Sequence, residues 1–206
     1  MAHIRKPLTV ALALNTAVFV GESIAGARAG SLSLLMDAVH NFSDELALAC
    51  LLAAHLFRAS LSRGFQRGAN LLNSLGLVAL SAVLVWQALD RLAHPRPVAG
   101  WLAVIVGTLA ALGNWGVARA LRHWQHQSAA IRLAYLHNVG DIYVSLGPIL
   151  AGLLVSLTRF SAWDSLVALA VAFWLIGSTA LELARSPEDL LWPENATCPH
   201  DDARAA

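Results

Sequence analysis

Between Val98 and Leu121 the chain reads VAGWLAVIVGTLAALGNWGVARAL, and Arg119 is the only charged side chain in this stretch. A helix needs about 20 apolar residues to cross the hydrocarbon core of a bilayer, at a rise of about 1.5 Å per residue. Similar stretches recur along the whole chain. They predict an all-α integral membrane protein with six transmembrane helices, at approximately 8–27, 31–56, 69–92, 98–121, 130–157 and 162–183.

The composition supports a membrane protein and excludes several other classes. Of the 206 residues, 57% are hydrophobic and 13% are charged, with a formal net charge of +1. Soluble domains carry about 25% charged residues, so this chain has too few to cover a globular surface. A soluble enzyme, a disordered chain and a basic nucleic-acid binder are therefore excluded, and the partner to expect is the lipid bilayer. With two cysteines, Cys50 and Cys198, a disulfide framework is excluded as well.

The distribution of Lys and Arg predicts the orientation of these spans, because short cytoplasmic segments carry an excess of both. With the N-terminus inside, the outer segments hold Arg28, Arg91, Arg96 and Arg159. The N- and C-termini are then both cytoplasmic. The inner segments hold the larger group, Arg5, Lys6, Arg58, Arg63, Arg67, Arg119, Arg122, Arg132, Arg185 and Arg204.

Two predicted spans each contain the pattern His-x-x-x-Asp, as His40 with Asp44 and His137 with Asp141. Residues four apart lie on one face of a helix, and ionisable groups inside a span are costly and usually functional. Facing each other, the two pairs would offer two nitrogens and two oxygens, a set that suits a tetrahedral divalent ion, with zinc the first choice. One such pair could instead be a polar contact that locks two helices. Two copies, both at mid-span, favour a metal site.

Two more acidic residues accompany this site in the predicted spans. Asp37 precedes His40 by about one turn and shares its helix face, so we expect it to help conduct the ion or a proton, or to orient a ligand histidine. Glu22, near the outer end of the first span, is a second candidate for that path. Asp164 lies close to the end of the sixth span, where we expect water to reach it.

Residues 1–185 form the predicted transmembrane domain, and 186–206 form a short cytoplasmic tail in which prolines alternate with acidic residues. Two clusters outside the spans offer weaker metal contacts. One is His123 with His126, between the fourth and fifth spans. The other lies in the tail and consists of Cys198, His200, Asp201 and Asp202. Neither cluster has the spacing of a closed structural zinc site, so a simple solvated segment is the alternative in both cases.

Three segments, 30–44, 88–98 and 132–141, resemble the cation diffusion facilitator family, and the resemblance covers approximately 8–191. It implies a six-helix homodimeric antiporter, not an enzyme, that exports a divalent metal from the cytoplasm in exchange for protons. Its His and Asp pairs resemble the zinc-type pattern, so Zn²⁺ is the expected substrate rather than a cofactor, with Cd²⁺, Co²⁺ or Fe²⁺ as further candidates. We expect a bacterial inner membrane. Most members continue into a cytoplasmic ferredoxin-like domain, which a chain that stops at Ala206 is expected to lack.

Two other functions remain open alongside alternating access around one mid-membrane site. An intramembrane zinc-dependent hydrolase would need an open metal position and a general base such as Glu45. The chain has no His-Glu-x-x-His pattern, and the fourth ligand would fill the open position. The second alternative is a non-transporting subunit that partners a relative with the cytoplasmic domain.

Overall fold

The computed structural model describes residues 2–57, 63–124, 126 and 129–185, with side chains over 9–46, 49, 74–124, 126, 132, 135–136 and 138–181. Within these ranges the chain forms seven α-helices. The predicted tail, 186–206, lies outside them. The helices are α1 (Ala2–Ala29), α2 (Leu32–Phe57), α3 (Arg63–Ala93), α4 (Gly100–Arg122), α5 (Ala129–Val144), α6 (Leu146–Thr158) and α7 (Ala162–Arg185).

The described helices have the length and surface of membrane spans. Five segments are long and apolar enough to cross a bilayer: Thr9–Ala29, Ser74–Ala93, Gly100–Arg122, Asn138–Thr158 and Ala162–Leu181. α2 is not among them, and it contains three carboxylates, Asp37, Asp44 and Glu45. Large apolar side chains cover the outside of the described bundle, among them Trp86 at 71% and Leu157 at 79% exposure. Such a surface suits hydrocarbon, and the all-α membrane class predicted from the sequence is confirmed.

The fifth predicted span, 130–157, is not one continuous helix. α5 ends at Val144 and α6 begins at Leu146, with Ser145 between them. Pro148 explains the break, because it has no N–H to donate to the carbonyl of Val144 and its ring clashes with that carbonyl. The apolar pattern did not predict this break, and the two helices together still supply a segment, Asn138–Thr158, that is long and apolar enough to cross a bilayer.

α2 lies between two groups of helices. On one side it packs against α3 and α7, where Leu32 and Met36 share a buried cluster with Leu84, Leu169 and Leu175. On the other side it packs along α1, which in turn packs on α4, and it also touches α5 and α6. The polar groups of α2 can therefore meet partners from nearly every element of the bundle.

α4 and α6 approach each other through two glycines. A Cβ added to Gly100 would lie 2.5 Å from the carbonyl oxygen of Gly152, and a Cβ on Gly152 would collide with the carbonyl of Gly100. Small residues at such positions let transmembrane helices come into backbone contact. The contact holds α6, and through it the break at Ser145, firmly against α4.

Three interhelical turns meet at one end of the bundle. The turn between α1 and α2 is sharp, with Gly30 at φ +63°, a conformation that glycine adopts without strain. The backbone N–H of Ala99 donates to the carbonyl of Ala29 at 2.9 Å, and Arg91 donates to the carbonyl of Gly30. The turn before α4 and the end of α3 are thus tied to the start of α2.

Asp164, in the first turn of α7, caps the N-terminus of α2. Its Oδ2 accepts from the backbone N–H of Leu32 at 2.6 Å, and its Oδ1 accepts from the hydroxyls of Ser31 and Ser33, both at 2.6 Å. The first N–H groups of a helix have no partner within the helix, and a carboxylate there is also favoured by the helix dipole. Asp164 is 1% exposed, so the expectation that water reaches it is wrong.

Candidate metal centre

The His-x-x-x-Asp pair of α2 faces α5 in the interior of the bundle. His40 Nε2 lies 3.0 Å from Asp141 Oδ1 and 3.8 Å from Asp44 Oδ2. All three residues are buried, and one potential ligand atom from each lies within 4.8 Å of the others. The i, i+4 spacing on α2 and the packing of α2 on α5 bring together these three residues, all of them candidate ligands from the sequence.

The spacing of these atoms suits a small divalent ion. Zinc binds imidazole nitrogen and carboxylate oxygen at about 2.0–2.2 Å, so ligand atoms of a tetrahedral site lie about 3.3 Å apart. The two measured separations from His40 Nε2, 3.0 and 3.8 Å, lie on either side of that value. Small movements of the side chains would therefore let these atoms bind one ion together.

His137, the fourth candidate, lies one turn before Asp141 in α5. Its side chain lies outside the part of the chain that the structure describes, so its role as a ligand stays a prediction. Residues four apart on a continuous helix share a face, and α5 is continuous from Ala129 to Val144. The backbone thus puts His137 on the helix face that carries Asp141.

A second polar face of α2 is turned toward α1. Asn41 donates to Glu22 Oε2 at 2.7 Å, and Asn15 donates both to the carbonyl of Asn41 at 2.9 Å and to Glu45 Oε2 at 3.2 Å. Thr16 donates to the other oxygen of Glu45. Asn41 and Glu45 each follow a candidate ligand by one position, so they point to the neighbouring side of the helix. These contacts hold the face of α2 that carries His40 and Asp44 toward α5.

Glu22 and Asp37 are both fully buried, at 0% and 1% exposure. Their carboxyl groups lie next to each other, and Asp37 also lies near Ser145 at the break between α5 and α6. Ser145 in turn accepts a hydrogen bond from Asn114 of α4 at 3.2 Å. A path of polar groups therefore runs from α1 across α2 to the break. Ser145 was not singled out in the sequence, where Gly147 and Pro148 two and three residues later were the available signal.

Comparison with known proteins agrees with this arrangement. A family model described as the cation efflux transmembrane domain matches residues 8–191, nearly the whole chain. The chain belongs to the cation diffusion facilitator family. As the sequence predicted, it is therefore a multi-pass protein of the bacterial inner membrane in a family of transporters rather than enzymes.

Several curated members of the cation diffusion facilitator family are similar to this chain. "Zinc transporter ZitB" of Pectobacterium atrosepticum is 31% identical over 195 residues, which cover 90% of this chain and 61% of that protein. "Metal cation efflux system protein CzcD" of Cupriavidus metallidurans is 29% identical over 194 residues, covering 90% and 61%. "Cadmium, cobalt and zinc/H(+)-K(+) antiporter" of Bacillus velezensis is 29% identical over 184 residues, covering 84% and 59%. The chain spans about three fifths of the length of these relatives.

Of the two weaker metal clusters predicted outside the spans, the one formed by His123 and His126 lies away from this centre. His123 and His126 follow the end of α4 and line an open cavity with Arg119 and Arg122. Cys198, His200, Asp201 and Asp202 lie outside the described residues. His123 and His126 are not part of the cluster formed by His40, Asp44 and Asp141.

Proposed function

We propose that this chain exports zinc from the cytoplasm in exchange for protons, with the ion held by His40, Asp44, His137 and Asp141. The observation that carries the proposal is the buried cluster of His40, Asp44 and Asp141, in which two different helices supply atoms at zinc-site spacing. Zinc is the substrate here, not a resident cofactor. The names of the related ZitB proteins support the choice of zinc.

The charges of the site match a divalent cation. Two carboxylates neutralise the ion, while imidazole binds it in the neutral form. Asp44 and Asp141 bring two carboxylates close to one imidazole inside a membrane protein, where ionised groups are costly and a cation would balance their charge. The site therefore favours a dication over a monovalent ion, and Cd²⁺, Co²⁺ and Fe²⁺ compete with zinc to the extent that they accept tetrahedral nitrogen and oxygen ligands.

Exchange for protons follows from the same ligands. Imidazole and carboxylate bind either metal or protons, so metal affinity falls as the proton concentration rises. Zinc would enter from the cytoplasm, the bundle would change its opening to the other side, and protons would displace the ion there. Glu22 and Asp37 would conduct protons toward the site, or Asp37 would help to conduct the metal ion. The Bacillus relative, named as an antiporter, supports exchange.

The proposed topology has six crossings with both termini in the cytoplasm, and the proposed assembly is a homodimer. The sixth crossing is α2, whose 26 residues are long enough at about 1.5 Å per residue. Its carboxylates face protein rather than lipid, which removes the usual objection to charged groups in a span. The homodimer rests on the family resemblance alone.

The test is zinc uptake by proteoliposomes that contain the purified chain, with zinc and pH indicators trapped inside. We expect zinc and protons to move in opposite directions in the parent protein. His40→Ala and Asp141→Asn should each lower the rate of zinc uptake at limiting zinc by more than about 100-fold. Even the loss of a group that only orients a metal ligand lowers metal affinity or activity by about 10–100-fold. His94→Ala and Asp90→Asn serve as controls, because both side chains lie exposed at the end of α3.

Native uptake by His40→Ala and Asp141→Asn would refute the site. Zinc uptake without any proton movement would refute the exchange while leaving the site intact. A chain that binds zinc but transports it only when mixed with a longer relative would instead be the non-transporting partner subunit. Hydrolysis of peptide or ester substrates that is lost in Glu45→Ala would favour the hydrolase.

A further inference from the structure

The C-terminal end of α4 carries a concentration of positive charge beside an open cavity. The cavity has a volume of about 650 Å³ and is lined by Arg119, Arg122, His123 and His126. Ligand pockets typically measure about 300–1,000 Å³, so it can hold a small polar group. Among the described residues, no carboxylate oxygen lies within 4.0 Å of either guanidinium.

This charge exceeds what the helix end itself requires. The C-terminus of a helix carries about half a negative elementary charge, which one basic side chain in the last turn offsets. α4 has two, Arg119 and Arg122, and two imidazoles follow at once. The remaining positive charge disfavours the metal ion predicted for His123 and His126 and favours an anion.

The cavity lies at the level where lipid headgroups are found. Trp101, 63% exposed at the other end of α4, is typical of the aromatic belt at a membrane surface. From Trp101 to Arg119 the helix rises about 27 Å, close to the hydrocarbon thickness of about 30 Å. Arg119 therefore lies at the opposite surface of the membrane. Its guanidinium lies 5.9 Å from the centre of the Trp115 ring, so the arginine stem follows this interfacial side chain.

An exposed apolar stripe leads along α4 to the cavity. Leu109, Leu112 and Trp115 are each more than half exposed, and with Arg119 and Arg122 they follow a helical spacing of three or four residues. Leu109 to Arg119 spans about 15 Å, the depth of one leaflet's hydrocarbon. A free phosphate would use the basic cavity and leave the stripe unexplained, whereas a phospholipid would occupy both.

The turn that carries the histidines is fixed on the bundle. Trp124 packs against the buried cluster of Ala11, Val117 and Leu121, and its backbone N–H donates to the carbonyl of Leu121 at 2.9 Å. The rings of His123 and Trp124 meet edge to face, with centroids 5.4 Å apart. The cavity wall is thus held in place by packing rather than left to solvent.

From these observations we infer that the cavity at the end of α4 binds the phosphate of an anionic phospholipid, whose acyl chain lies along Leu109, Leu112 and Trp115. The phosphate would accept hydrogen bonds from the guanidinium groups of Arg119 and Arg122 and from ring N–H groups of His123 and His126. Basic pockets at the cytoplasmic surface of membrane proteins are suited to such headgroups. The inference is independent of the proposed metal and proton exchange.

The test is native mass spectrometry of the purified protein titrated with phosphatidylglycerol or phosphatidylcholine in detergent. We expect preferential retention of one phosphatidylglycerol. The double substitution Arg119→Gln/Arg122→Gln should weaken phosphatidylglycerol binding by about fivefold for each arginine, or about 25-fold for the pair. The matched control is Arg28→Gln/Arg159→Gln, which removes the same charge from exposed positions at the other end of the bundle. Arg119→Lys/Arg122→Lys keeps the charge and should retain most of the binding.

Equal phosphatidylglycerol binding by the glutamine pair and by the control would overturn the inference. It would also be overturned if glycerol phosphate or inorganic phosphate displaced the lipid at equal concentration, since the site would then take a free anion. Loss of one bound zinc ion per chain in His123→Ala/His126→Ala, compared with the parent, would favour a metal site at these histidines instead. As a second measurement, phosphatidylglycerol with brominated chains should quench Trp115 fluorescence, and Trp115→Phe should remove that part of the quenching.

Discussion

At the residue scale, the position of His40 supports the proposal that the site binds a cation. Its Nε2 lies 3.0 Å from one carboxylate oxygen and 3.8 Å from another, yet a neutral imidazole has at most one hydrogen on that nitrogen. A single N–H cannot serve both Asp44 and Asp141 well. A divalent ion placed among the three atoms would be bound by all of them at once.

Asp164 gives a residue-scale prediction about stability. Asp164→Ala removes the acceptor for the N–H of Leu32 and for the hydroxyls of Ser31 and Ser33, and buried donors left without a partner cost about 1–3 kcal/mol each. We expect a clearly lower melting temperature in detergent, measured by a thermal shift assay. Asp90→Ala removes a half-exposed carboxylate and should leave the melting temperature nearly unchanged. Equal stability of the two variants would contradict the capping role.

The sequence predicted part of the site and missed this cap for a definite physical reason. The spacing of His40 and Asp44 is local, so helical periodicity is enough to place both on one face. The partnership of Asp164 with Leu32 joins residues 132 positions apart, and no local pattern encodes it. Asn15, Glu22 and Asn114 are polar residues within spans, and all three form hydrogen bonds between helices. Their partners could not be named beforehand.

At the scale of elements, the break between α5 and α6 positions the candidate site. Asp141 lies one turn before Ser145, and Ser145 still donates its N–H to the carbonyl of Asp141 at 2.9 Å. The apolar pattern of 130–157 predicts a span but not the break, because hydropathy depends on side-chain polarity and not on the missing backbone N–H of Pro148. The bounds of most other spans agree with the helices within a few residues, since their ends carry turn residues.

The contact between α4 and α6 gives a prediction for elements. Gly152→Ala places a methyl group against the carbonyl of Gly100, so the helices must separate, and overpacking of this kind costs about 1–3 kcal/mol. Gly177→Ala is the matched control, because a Cβ there meets nothing within 4 Å and alanine favours a helix by about 1 kcal/mol. We expect a lower melting temperature for the first variant and an equal or higher one for the second. The reverse order would contradict the close approach.

At the scale of the whole molecule, the described turns predict the topology. The turns at 29–31, 94–99 and 159–161 are linked at one end of the bundle by the contacts of Ala29, Gly30 and Asp164, while His123 and His126 follow the end of α4 that points away from them. α2 leaves the first of these turns, and α3 returns to the second. With 26 and 31 residues, α2 and α3 are each long enough to run the length of the bundle, as the proposed six crossings require.

Cysteine labelling measures this topology directly. In a chain with Cys50 and Cys198 replaced by alanine, His94→Cys and Phe160→Cys should react with a membrane-impermeant maleimide in intact cells. His123→Cys should react only after the membrane is opened, because the excess of Lys and Arg predicts that its end faces the cytoplasm. Labelling of His94→Cys and His123→Cys from the same side would exclude six crossings in the proposed orientation.

The hydrogen bonds between α1 and α2 have a consequence for the insertion of the chain into the membrane. Alone, α2 would carry Asp37, Asp44 and Glu45 into hydrocarbon, and each acidic residue at the centre of a helix opposes insertion by about 2.5–3.5 kcal/mol. α1 supplies partners for the neighbouring polar face of α2, through Asn15 and Thr16 to Glu45 and through Glu22 to Asn41. The insertion machinery should therefore release α1 and α2 into the lipid together, as a paired hairpin. α1 and α2, which pack against each other in the folded protein, would thus depend on each other from the moment of synthesis.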